Sequence, residues 1–346
     1  MRTIQVRTLA ATVAALAVAG AARAEMSAYS VRLTETSRRE ALGGRAVPLL
    51  KMADAPGREE QLARLLDVLS QSPDRRIHVR NPGRRSDAPR SIVLFAGDES
   101  WYLQVSGDGT RFRYHANIDD PREKAADAAL PKLDLATLEA LGRDFVMTRL
   151  RTVVQLGPNE QIVFLAGRYL REGSATATTP FDSHVVGNLA VFGREIGGTY
   201  VAGPGSKVAV WFSNRGEPMG FFADWPAYEV VGPAPPTLDI AGVRELLARH
   251  GDYPLDTIDR NTRQFQCGYM DLGLGNRGRA LVQAGCVVEH AGPLSGDLHY
   301  GSLESVPIST EMVEDPDWPV TGCIATGKPG NDCRDKPGNE PGDPES

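Results

Sequence analysis

Beyond residue 24 the chain has no apolar run approaching the roughly 20 residues that a bilayer crossing requires, so no membrane-spanning helix is expected there. Cysteine is scarce: four residues, with no C-x-x-C pair, which argues against a thioredoxin-like redox site and a zinc ribbon. The six histidines (78, 115, 184, 250, 290 and 299) form no H-x-H and no H-E-x-x-H, so the helical i, i+4 zinc geometry is missing. No G-x-S-x-G elbow occurs either. Gly203-Pro204-Gly205-Ser206 lacks the second flanking glycine and leads into a strand-like segment.

The first 24 residues read as a cleavable signal peptide. Arg2 and Arg7 supply a positive start, Leu9 to Ala19 is an apolar stretch, and Ala22-Arg23-Ala24 fits an A-x-A cleavage site. No twin-arginine pair precedes the apolar core, and no cysteine stands at the cleavage site to carry a lipid. The expected location is therefore the periplasm or the cell exterior. Losing the three arginines of that segment takes the formal net charge from −6 to −9, which argues against a nucleic-acid or anionic-membrane partner. Six arginines crowd residues 75 to 90, where Asn81-Pro82-Gly83 points to a solvated loop.

All four cysteines, Cys267, Cys286, Cys323 and Cys333, fall in the last quarter of the chain. In an exported protein they are expected to form disulfides, with three possible connectivities. Proximity in sequence favours Cys267–Cys286 and Cys323–Cys333.

Proline and glycine divide the chain into a main domain over 25–231, a Pro-rich linker over 232–236, a smaller disulfide-stapled unit over 237–326, and an acidic tail over 327–346 expected to be disordered. Three helices are predicted. One carries Leu62, Leu65, Leu66 and Leu69 at i, i+3, i+4, i+7 spacing, and the others start behind Asp134 and Asp239 as N-caps. The last two open alike, on Pro131-Lys132-Leu133-Asp134-Leu135-Ala136 and Pro236-Thr237-Leu238-Asp239-Ile240-Ala241, which suggests an internal duplication. Hairpins are expected around Ser106-Gly107-Asp108-Gly109 and Ser213-Asn214-Arg215-Gly216, with another strand over Glu160 to Leu170. The fold class that follows is α+β, with helices packed on antiparallel sheets.

The stretch from Phe192 to Val208, with Gly197-Gly198, Gly203-Pro204-Gly205 and the hairpin turn Asn214-Arg215-Gly216, resembles the strand-turn-strand part of PepSY-like domains. The resemblance covers at best Asp134 to Val231, with a fainter echo from Asp239 to His290. It implies two PepSY-like or cystatin-like units, each a helix on an antiparallel sheet. It also implies a non-catalytic role in the cell envelope, such as restraining a peptidase. No cofactor is expected, and the expected partner is another exported or envelope protein.

Four sets of residues merit a place as candidates. Gly273-Leu274-Gly275-Asn276-Arg277-Gly278 matches G-x-G-x-x-G formally, but Ala280 to Val288 after it reads as strand where a dinucleotide site needs a helix. Glu289, His290, Asp297 and His299 are candidate metal ligands for a metal-assisted hydrolase, and Asp182 with His184 forms a second polar cluster. Around one hairpin, Trp211, Phe221, Trp225 and Tyr228 are a candidate binding surface if their outward half is uncovered. The alternatives to a binding protein are a secreted hydrolase and a small-molecule carrier.

Overall fold

The computed structural model describes residues 25–53, 57–79, 90–116, 121–174, 182–232, 234–250, 262–271, 273, 281–291 and 301–310. Chain order runs β1 (Glu25–Met26), α1 (Ala28–Glu40), β2 (Leu49–Met52), α2 (Arg58–Leu69), β3 (Arg75–Val79), β4 (Ser91–Phe95), β5 (Trp101–Val105) and β6 (Arg111–Ala116). Then come α3 (Pro121–Ala128), α4 (Leu135–Thr148), β7 (Glu160–Ser174), β8 (Asp182–Ile196), β9 (Thr199–Ala202), β10 (Lys207–Phe212), β11 (Pro218–Asp224) and β12 (Tyr228–Val231). The described chain closes with α5 (Ile240–His250), β13 (Thr262–Met270), β14 (Leu281–Val282), β15 (Ala284–Ala291) and β16 (Gly301–Pro307).

The expected α+β arrangement of two helix-on-sheet units is corrected by this topology. Among the described residues, thirteen strands form one continuous sheet in the order β16-β15-β13-β9-β8-β10-β11-β6-β5-β4-β3, with β7 against β8 and β1 against β7. A small second sheet runs β12-β2-β14. The described residues are mostly β, with far more of them in strands than in helices. The predicted hairpins exist, but their outer edges are joined. β6 pairs antiparallel with β11, and β9 pairs parallel with β13 through Val201 and Tyr269. A free strand edge is a row of unpaired N–H and C=O groups, and each hairpin satisfies its neighbour's edge. Alternation within a hairpin carries no information about that choice.

The three predicted helices are present. Asp134 caps α4 by accepting the Thr137 amide at 2.7 Å, and Asp239 does the same for Gly242 at 2.8 Å. Helix α4 lies on β7, β8 and β10. Gly142 permits its close approach, since a Cβ there would stand 2.7 Å from Ala190 Cβ and from the Phe192 ring. Leu62 and Leu65 of α2 join Leu138 and Val146 of α4 over Ile92, Leu103, Phe112, Val210 and Phe221 in the main core.

Helix α1 covers the opposite face of the same sheet. Its Tyr29 and Leu33 pack with Val163, Leu165, Tyr200 and Ala202, a cluster separate from the α4 core. The strands between α1 and α4 are therefore buried on both faces, and Ile162 through Ala166 are all buried. A third cluster joins Val243 of α5 to Leu50, Phe265, Cys267 and Cys286. Cys267 and Cys286 are cross-strand partners joined by a disulfide. Cys323 and Cys333 lie outside the described residues, as does the tail from 327. The segment at 232–236 carries backbone pairing: Val47 N–H donates to Pro235 O, and Ala46 bridges Pro236.

Candidate binding face and adjoining cleft

Burial along β4, β5, β6, β10 and β11 follows a period of two. Ile92, Leu94, Leu103, Val105, Phe112, Tyr114, Val208, Val210, Phe221 and Ala223 are buried under α2 and α4, while their alternates are half-buried for the most part. Side chains alternate across a strand, so those alternates share the other face. Among the described residues no helix covers that face. Helix α1 stops at the β7–β9 end, where burial becomes continuous.

Register turns these alternates into rows. One runs Arg75–Phe95–Tyr102–His115–Gly220–Trp211 across β3, β4, β5, β6, β11 and β10. The next runs Ile77–Val93–Gln104–Arg113–Phe222–Ala209, and a shorter third runs Arg111–Asp224–Lys207. Cations stand over the rings. The Arg75 guanidinium is 4.7 Å from the Phe95 centroid, Arg111 is 5.4 Å from Phe222, and Arg113 is 5.8 Å from Tyr102. Tyr102 and His115 lie 5.8 Å apart. Arg111 also forms an ion pair with the buried Asp224 carboxylate at 2.8 Å. Gly220 stands between His115 and Trp211 in the first row and lets β6 approach closely; a Cβ there would press to 2.6 Å from Tyr114 O.

A cleft of about 420 Å³ opens at the β6 end of this face. His115 forms part of its wall, with Lys124 and Asp127 from α3, Glu172 and His184 from the β7–β8 pair, and Met219 from β11. Glu172 and His184 are directly opposed across those strands. Burial, then the nearby Arg113 and Lys124 charges, holds the His115 imidazole below its ordinary pKa. Asp127 is already engaged, accepting the Asn214 and Arg215 amides at 2.9 and 3.1 Å and so fixing the turn of the β10–β11 hairpin.

The structure separates the sequence candidates. Of the aromatic set, Trp211 is on the open face, whereas Phe221 and Trp225 are buried in the core. Tyr228 donates to Asp271 Oδ2 at 2.6 Å, and its ring lies 5.0 Å from the Arg194 guanidinium. Ser206 is fully buried and donates to the same Asp271 oxygen at 3.0 Å. Glu289 and His290 stand on β15, while Asp297 and His299 lie outside the described residues. Gly273 has a φ of 82°, residues 274–280 lie outside the described residues, and β14 and β15 follow as strands. His184 reaches the cleft, but sequence reading missed its companions His115, Lys124 and Glu172. The strand parity of Arg111, Arg113 and His115 was the available signal for the first. Among the described residues no group of three His, Cys, Asp or Glu side chains is placed to hold a metal ion.

No protein-family model matches the chain, and no curated protein matches it. It is similar to the crystal structure of an uncharacterised protein from Eubacterium rectale, at 8% identity and a TM-score of 0.45, over 78% of this chain and 86% of that one. The protein holds a disulfide, and among the described residues no helix is long and apolar enough to cross a membrane.

Proposed function

We propose that this chain is an exported, non-catalytic binding protein whose open sheet face docks an acidic surface of another exported protein. One observation carries the reading: the rows through Tyr102, Arg113, Phe222 and Trp211 interleave cations with half-buried rings on a face that no described helix covers. Aromatic residues and arginine are the types that dominate the energetics of protein interfaces. The charge of the face runs opposite to that of the chain. Arg75, Arg111, Arg113 and Lys207 stand on it with Asp224, in a protein of formal net charge −6. An acidic partner is steered to such a patch, and salt weakens the encounter. A peptidase of the same compartment is the first partner class to screen.

The test uses a random glutamate–tyrosine copolymer as the acidic probe, with Trp211 fluorescence as one readout. Wild-type protein is expected to bind it, less so as salt rises, and Arg113→Glu and Trp211→Ser are each expected to abolish binding while leaving the circular dichroism spectrum unchanged. Equal binding by Arg113→Glu sinks the proposal. Tighter binding of a single-stranded DNA oligonucleotide than of the copolymer also sinks it.

A further inference from the structure

We propose that the cleft beside His115 is a separate binding site for a small zwitterion, of the size of an amino acid or a dipeptide. Its volume of about 420 Å³ lies within the range of small-ligand sites. Its polar groups come from different elements of the fold. Lys124 projects from α3, Glu172 from β7, and the two histidines from β6 and β8. Each Asp127 carboxylate oxygen already accepts a backbone amide of the β10–β11 turn, so Asp127 is committed to holding that turn. That leaves one cation and one anion facing the same space, and they form no ion pair with each other. A ligand carrying both charges satisfies both walls: its carboxylate meets Lys124, and its ammonium meets Glu172.

The remaining lining suits a short side chain. Ala125 and Ala128 of α3 oppose Val186 and Met219. Val186 is where the β7–β8 ladder slips, because Leu170 pairs with Gly187 and Arg171 with Val185. A bulge re-aims a side chain and is over-represented beside functional sites. Here it turns Val186 into the cleft. A simple anion would use Lys124 alone and leave Glu172 unanswered, which is why the inference is a zwitterion. It does not depend on the docking face, since neither Lys124 nor Glu172 belongs to its rows.

The probe is the dipeptide L-alanyl-L-leucine, titrated into the full chain by calorimetry and followed by NMR of the histidine rings. Saturable binding is expected, with shifts at His115 and His184. N-acetylation or C-terminal amidation of the probe, Glu172→Gln and Lys124→Met are each expected to weaken binding by about tenfold or more, the value of one charge-assisted contact. Lys124 and Glu172 are exposed, so these variants keep the fold. Failure of the dipeptide and of free leucine to bind overturns the inference. Equal affinity for the N-acetyl form does so too, as does binding that shifts neither histidine.

Discussion

Arg194 and Glu160 form an ion pair inside the protein, with side chains 2% and 8% exposed. The guanidinium lies 5.0 Å from the ring centroids of both Trp225 and Tyr228 and donates to Pro226 O. This arrangement ties the end of β8 to the chain between β11 and β12, where the chain leaves the large sheet for the small β12-β2-β14 sheet. Breaking one side of a buried pair leaves an uncompensated charge. Glu160→Gln and Arg194→Met are each expected to cost about 3–5 kcal/mol in urea unfolding, and a paired Glu160→Leu, Arg194→Met variant less than their sum. Costs below about 1 kcal/mol, the range of exposed pairs, contradict the assignment.

His115 gives the open face a pH dependence. Its pKa is held below the ordinary 6.5 by burial first and by Arg113 and Lys124 second. The unfolded chain therefore takes up the proton more readily. The stability this group contributes is full above pH 6.5 and is lost as pH falls through its folded pKa. His115→Gln is expected to flatten stability over that window. An NMR titration of the His115 ring with a midpoint at or above 6.5 rules the account out.

The Cys267–Cys286 bond links β13 to β15 at directly opposed positions, 19 residues apart in sequence. In the chain-entropy model a loop of this size is worth about 3 kcal/mol. Reduction, or a Cys267→Ala, Cys286→Ala variant, is expected to lower unfolding stability by that order. Both sulfurs are buried, so native protein should resist thiol reagents until it unfolds. Rapid labelling of the folded protein after mild reductant counts against this placement.

How much of this was legible in the sequence depended on whether the signal was local. Leucine spacing marked α2, and aspartate caps marked α4 and α5. Turn glycines marked both hairpins. Helix α1 escaped because the residues it buries are polar. Ser30 donates to Leu165 O, and Ser37 accepts the Cys267 amide, so no apolar stripe announces the contact. The union of the hairpins into one sheet was hidden for a different reason. Which edge meets which is fixed by contacts such as Phe221 with Tyr114 and Val201 with Tyr269, far apart in the chain. The cleft shares that difficulty, since Lys124, Glu172 and His184 meet only after β6, β11 and the β7–β8 pair have assembled.

Hydroxyl-radical labelling of Trp211, Phe222 and Tyr102 tests the central claim most directly. The full chain is labelled alone and with the glutamate–tyrosine copolymer, with buried Phe221 as the internal reference. The account expects all three rings to label in the free protein and to be protected together when the acidic probe binds, while Phe221 stays unlabelled throughout. Rings already protected in the free protein, or labelled equally with and without the probe, contradict it.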